Sequence, residues 1–190
     1  NTMDAATETL DGEVEFELRN GELLAVSGGS WPFMGGQLIL REVDLNLGIS
    51  EERRYIFEIV GLDAATFVAE MEFENLSASG LFDGTVPIVF DADGNGRIDT
   101  GVLISRPPGG NISYVGELSY EDLSPIANFA FDALKSLDYS QMRIVMEGPL
   151  TGEIVTRVRF DGVRQGDGAR SNFVTRRLAA LPLQFRINVR

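Results

Sequence analysis

Glu13-Val14-Glu15-Phe16-Glu17-Leu18-Arg19-Asn20-Gly21 decides the architecture. Charged and apolar residues alternate with period two, which places Val14, Phe16 and Leu18 on one side of an extended strand and three glutamates on the other. Asn20-Gly21 supplies the two positive-φ positions that a tight hairpin needs, so Glu22 to Ser27 reads as the return strand. The period then recurs along most of the chain. Gln37 to Ile49 reads as a long strand with a change of phase at Arg41-Glu42, which implies a bulge or bend. Further strands are expected at Tyr55 to Val60, Gly84 to Phe90, Arg97 to Arg106, Asn111 to Ser119, Gln141 to Glu147, Gly152 to Gly162 and Leu181 to Arg190.

Two segments break the pattern in favour of helix. Asp63 is a good N-cap for 64–71, where Phe67, Val68 and Met71 share a face. Ser124-Pro125 is a cap followed by a first-turn proline, and Ile126, Phe129, Ala130, Ala133, Leu134 and Leu137 form an apolar stripe behind it. The expected fold is therefore mainly β with two short helices, of the α+β class. It is an elongated, curved antiparallel sheet forming a trough or a partly closed sandwich, with the helices packed on its apolar face or end. Leu81-Phe82-Asp83-Gly84 leading to Val89-Phe90 is echoed 68 residues on by Leu150-Thr151-Gly152 leading to Val158-Arg159-Phe160, a weak internal repeat dividing the chain at about 12–120 and 121–190. The strand-like alternation running up to Arg190 suggests that residues 1–190 are one C-terminal segment of a longer chain.

Composition narrows the chemistry. With no Cys and no His among 190 residues, thiol nucleophiles, Ser-His-Asp triads and ordinary zinc, haem or iron-sulfur ligation are excluded. The net charge of −13 argues against nucleic acid as a partner. That charge is uneven: residues 1–140 hold 25 acids and 7 bases, a net of −18, while residues 141–190 hold 4 acids and 9 arginines, a net of +5. Arginines flanking apolar strands keep a terminal sheet soluble, or else form a stripe that recognises anions. No run approaches the roughly 18 apolar residues of a membrane span.

Two stretches are candidates for sites. In Asp91-Ala92-Asp93-Gly94-Asn95-Gly96-Arg97-Ile98-Asp99 the oxygens of Asp91, Asp93, Asn95 and Asp99 follow an EF-hand loop, but its twelfth position is Val102 and its flanks are strands. The loop is either a tight hairpin built from ordinary turn residues or a calcium-binding hairpin; no other cofactor is expected. Between two glycine pairs, Trp31, Phe33 and Met34 stand on what reads as a loop from Gly28 to Gly36, either plugging the end of a core or forming a lipid-facing lip.

Gly84-Thr85-Val86-Pro87, Ile98-Asp99-Thr100-Gly101-Val102-Leu103, Pro107-Pro108-Gly109-Gly110 and Ile112-Ser113-Tyr114, followed by Leu137-Asp138-Tyr139 and by the terminal Leu181 to Val189, occur in an order that resembles the C-terminal part of the YdbH family. That domain was first labelled "dicarboxylate transport" and is grouped with AsmA-like and TamB-like envelope proteins. The resemblance implies a periplasmic, non-enzymatic segment, anchored to the inner membrane by residues outside this chain. It would carry phospholipid between inner and outer membranes along an apolar trough. Its partners would be phospholipid acyl chains, the remainder of the same chain as neighbouring sheet, and a partner on the outer-membrane side. The apolar parities of the strands fit such a conduit, with Val14, Phe16, Leu18, Leu183, Phe185 and Ile187 as lipid-facing candidates beside Trp31, Phe33 and Met34. The alternative, from the residues alone, is a structural or adhesion-type β-domain with a calcium-stabilised hairpin.

Overall fold

The structure is a computed structural model that describes residues 2–5, 8–19, 23–46, 52–73, 75–114, 136–165 and 183–188. Its elements in chain order are β1 (Thr2–Ala5), β2 (Glu8–Asp11), β3 (Glu13–Arg19), β4 (Leu23–Phe33), β5 (Gly36–Leu40), β6 (Val43–Asn46), β7 (Arg53–Asp63), α1 (Ala64–Glu70), β8 (Leu76–Ala78), β9 (Leu81–Phe90), β10 (Gly96–Ser105), β11 (Gly110–Tyr114), β12 (Leu137–Tyr139), β13 (Gln141–Pro149), β14 (Glu153–Asp161), β15 (Arg164–Gln165) and β16 (Leu183–Asn188). Ten strands form one open sheet in the order β16-β14-β13-β10-β9-β7-β5-β4-β3, with β6 also paired to β4. Four more form a small sheet in the order β15-β12-β11-β8, and β1 and β2 make a hairpin of their own. Every pairing is antiparallel, as hairpin connections favour.

The opening heptapeptide folds as read: β3 pairs with β4 from Glu13 opposite Ser30 to Arg19 opposite Leu23. The phase change at Arg41-Glu42 is also real. It separates β5 from β6, and both return along the single strand β4. Two expectations need correction. Gly28 to Gly36 is no loop, because Gly28 to Phe33 continue β4, and only Met34-Gly35 turn the chain into β5. Glycine and proline mark breaks in isolation, yet here five residues of β5 pair with this stretch and hold it extended. The described residues contain one helix, α1. The stretch 124–135 lies outside them, and Leu137, placed on the stripe of the second helix, belongs to β12, where it pairs with Ile112 and Gln165.

The helix that is present begins as its sequence directs. The Asp63 carboxylate accepts from the Thr66 backbone N–H at 3.1 Å and from its hydroxyl at 2.7 Å, satisfying a first-turn donor. The Thr66 hydroxyl bond is the main reason that the Asp63 carboxyl lies below its ordinary range. Ala64 and Val68 are buried, and Phe67 packs against the core.

That core lies at one end of the large sheet, where α1 and the small sheet meet it. Phe82, Leu62, Leu103, Met142, Val158 and Phe160 from the large sheet contact Leu137 and Tyr139 from the small one. Each such burial is worth about 1.5–3 kcal/mol. Tyr139 shows why the two sheets fit so closely. Its hydroxyl donates to the Ser79 carbonyl at 2.6 Å, and its ring tilts against Phe160 at 5.9 Å between centroids. Gly110 faces it in register; a Cβ there would lie 2.0 Å from the Ser79 carbonyl oxygen and 2.6 Å from the Tyr139 hydroxyl. At Gly109, with φ +102°, a Cβ would come within 1.9 Å of the Tyr139 carbonyl oxygen. Pro-Pro-Gly-Gly and Leu-Asp-Tyr, far apart in sequence, are therefore two sides of one close backbone approach.

Burial pushes the Tyr139 hydroxyl up to about 12. The folded chain then holds a proton that the unfolded chain releases from about pH 10, so this contribution to stability is intact below pH 10 and is lost as pH rises through 12. Tyr139→Phe is expected to lower stability by about 1 kcal/mol at neutral pH. It should also flatten the decline between pH 10 and 12, both being measurable by urea melts across that range.

Candidate functional site

In an antiparallel ladder, residues directly opposite one another share a face, so the register traces the faces of the large sheet across its whole width. Trp31 stands opposite Leu38, Leu38 opposite Ile59, Ile59 opposite Gly84 and Gly84 opposite Leu103. From Leu103 the row continues through Ile144 and Val158 to the position of Leu183. A second row runs Val14, Gly29, Leu40, Phe57 and Val86, passes the bulge of β10 at Gly101, and continues through Met146 and Thr156 to the position of Phe185. A third contains Tyr55, Ile88 and Ile98, with Ile154 opposite Ile187 at its far end. One face is thus almost wholly apolar from edge to edge.

Cover over this face is graded. Close to the small sheet the side chains are buried: Ile59 and Leu103 are 7% exposed. Two and four residues further along the strands, Phe57, Val86, Met146, Tyr55, Ile88, Ile98 and Ile154 are only half-buried. No described element other than the sheet's own strands makes extensive contact there. What remains is a broad apolar surface, floored by backbone at Gly101 and edged by the Tyr55 and Phe90 rings, which meet edge to face at 5.6 Å. Such a surface suits hydrocarbon chains.

The sequence-predicted residues distribute unevenly over this face. Trp31 is buried at 4% exposure, its indole lying across Gly12 and Gly29, where no Cβ would fit. Phe33 and Met34 are half-buried and pack against the core, Met34 in the turn at φ 46°. Val14 is half-buried in the second row. Phe16 and Leu18 lie beyond a bulge after Glu15, in register with Val26 and Leu24. Leu183, Phe185 and Ile187 occupy register positions opposite Val158, Thr156 and Ile154. The middle of the face, Phe57, Val86, Ile98 and Met146, was not singled out from sequence. The signal was present as period-two parity in the Tyr55 to Val60 and Arg97 to Arg106 strands, but parity names a face only after register joins it to its neighbours.

The opposite face mixes apolar positions such as Ile39, Val102 and Val145 with charged ones that form ion pairs. Arg106 grips Asp83 with two hydrogen bonds of 2.6 Å, and the Gly61 N–H adds a third at 2.8 Å. The Arg106 bonds hold the Asp83 carboxyl below its ordinary range. Both side chains are over a third exposed, so the pair itself contributes little to stability. Its effect is geometric: it ties down the bulge of β7, where Gly61 takes φ +70° just before the chain turns into α1. Arg54 and Arg97 both bond Asp99, at 2.6 and 3.2 Å, over the fully buried Val89. The Arg54 bond is the larger cause of the lowered Asp99 carboxyl. Arg41 pairs with Glu58, and Arg157 with Glu147 at 2.9 Å.

The four oxygens proposed for calcium are not brought to one point. Asp91 Oδ1 accepts from the backbone N–H groups of Asp93 and Asn95, each at 2.9 Å, and the Asn95 amide donates to Asp91 Oδ2 at 3.0 Å. The Asn95 side chain is the leading reason that the Asp91 carboxyl lies below its ordinary range. Asp99 is committed to Arg54 and Arg97, and among the described residues no three acidic side chains gather as a metal site requires.

The sheet is thus open and antiparallel, with one apolar face and one that carries ion pairs. The YdbH-like family, described as intermembrane phospholipid transport protein YdbH, matches residues 4–190, and the chain belongs to that family. Comparisons with curated proteins and with solved structures give no match. Among the described residues no helix is long and apolar enough to cross a membrane.

Because the Asp91 carboxylate already closes its own turn, Asp91→Ala is expected to lower the melting temperature by about 2–4 °C, a shift typical of a lost turn cap in a chain of this size. The fall should be equal in millimolar calcium and in excess chelator. A calcium-dependent difference between the two melts would restore the metal reading.

Proposed function

We propose that this chain is a periplasmic, non-enzymatic segment that moves phospholipid between inner and outer membranes, its acyl chains travelling across the strands over the half-buried rows of the apolar face. Anchoring to the inner membrane falls to residues outside this chain, and the neighbouring sheet of the same protein continues the path. The observation that carries the reading is the unbroken apolar register from Trp31 to the position of Leu183, with most of the Phe57 and Tyr55 rows beside it left half-buried. Membership of a phospholipid-transport family supports it. So does the closed end: the small sheet packs Tyr139 and Leu137 against Phe160 and fills the strand ends, which leaves travel across the strands rather than along them.

Two glutamate substitutions on one strand test this. Ile98 lies on the apolar face and Ile104 on the reverse face, 36% exposed. Ile98→Glu is expected to reduce phospholipid retained from a lipid-containing host by about tenfold or more, since a carboxylate set against hydrocarbon is strongly disfavoured. Ile104→Glu should leave retention unchanged. Native mass spectrometry of both variants, with circular dichroism as the check on folding, gives the comparison. Equal retention by the two would dissociate lipid from this face.

A further inference from the structure

Among the described residues, two buried side-chain donors on the apolar face have no hydrogen-bond partner, the Trp31 indole Nε1 and the Thr156 hydroxyl. Both residues are more than nine-tenths buried, at 4% and 7% exposure. Thr156 is in register with Met146 on one side and with Phe185 on the other, and Ile154 and Val158 flank it along its own strand. Valine has the same shape and would suit such surroundings without an unpaired hydroxyl. An orphaned donor in an apolar row is a net destabilisation of the folded chain, which a ligand acceptor would relieve. Ser105, also buried and polar, is satisfied by the Met142 N–H at 2.8 Å.

The placement of the two orphans adds to this. They stand in adjacent rows of the same face, on β14 and β4, six strand spacings or about 29 Å apart. Between them the two rows offer only aliphatic, aromatic, methionine and glycine positions. A saturated chain alone would have no use for donors at either end. A diacyl lipid carries, at the head of each chain, an ester carbonyl that accepts hydrogen bonds and cannot donate them.

We infer that Thr156 and Trp31 are stations for the ester carbonyls of diacyl phospholipid, each donating one hydrogen bond as the neighbouring side chains that bury the donor give way to the acyl chain. This rests on the transport reading above and adds to it a chemical preference, for ester-linked over ether-linked chains. The preference arises because a dialkyl lipid has the same hydrocarbon but leaves both donors unpaired.

The test loads the full chain from vesicles of diacyl phosphatidylglycerol or of its dialkyl-ether analogue and measures lipid retained after separation. Wild type is expected to retain the diacyl form about fivefold better for each hydrogen bond made. Thr156→Val should lower that ratio by about fivefold while keeping or raising the melting temperature, because it removes an unpaired hydroxyl without changing shape. Trp31→Phe should lower the ratio in the same direction. Equal retention of the two lipids by wild type would overturn the inference and leave the transport reading standing. An unchanged ratio in both variants, or a fall in the Thr156→Val melting temperature, would overturn it as well, the latter by showing the hydroxyl already partnered. If wild type retains neither lipid, the transport reading fails and takes this inference with it.

Discussion

Register is the constraint on which this structure depends. Side chains alternate strictly along a strand, so a slip of one residue in any pairing would carry a whole strand's apolar set to the ion-paired face. The large sheet keeps one face apolar through nine successive strands, and it does so with devices visible at particular places. The bulge of β10 between Ile98 and Val102, with Thr100 at φ 59°, returns Leu103 to the same side as Ile98. The bulge of β7 after Ile59 does the same for Leu62, and the Asp83 carboxylate holds it through the Gly61 N–H. The ion-paired face thus serves the apolar one: its bidentate Arg106 pair, of little worth as an ion pair, fixes the strand phase on which the other face relies.

At the closed end the demand is different, for here two sheets must touch. Tyr139 can pack between them only because Gly109 and Gly110 present bare backbone, and its hydroxyl takes up the Ser79 carbonyl that would otherwise be left there. Phe160 and Phe82 complete the fill. The result is a sheet anchored by dense packing at one end of its strands and progressively less covered toward the other. On the proposed reading this gradient separates two tasks: the packed end supplies stability, and the half-buried rows are free to meet cargo.

Much of this was legible in the sequence. Period two in Glu13 to Arg19, the phase change at Arg41-Glu42 and the Asp63 cap each became the element their local chemistry specifies, because each depends on neighbours close in the chain, while the Asn20-Gly21 turn lies outside the described residues. Pro-Pro-Gly-Gly and Leu-Asp-Tyr were recognisable as motifs but not as partners, since their contact is made across the fold. Gly28 to Gly36 misled for a related reason. Glycines and a proline lower the intrinsic preference for strand, and only pairing with β5, together with an indole that needs the space above Gly12 and Gly29, makes extension the better state. The Asp91 loop shows the reverse case: residues of calcium-ligand type were plain to read, but whether a carboxylate turns outward to a cation or inward to backbone N–H groups is a matter of geometry that composition does not carry.

On the proposed reading, the apolar face also bears on how transport over it is driven. An acyl chain leaving water gains about 0.8 kcal/mol for each buried CH2, but a chain leaving a bilayer for this face exchanges one apolar environment for another, and the net change per CH2 is close to zero. The face therefore need not bind lipid tightly to be useful. It has only to match the bilayer closely enough that entry and exit are both accessible, and half-buried rows of Phe57, Val86, Ile98 and Met146 are suited to that because they give contact without enclosure. By the same argument a uniform apolar row favours neither direction. A direction of flow must be imposed where the lipid enters or leaves, by differences between the two membranes or by whatever joins the sheet to them, and not by the strands over which the chains pass.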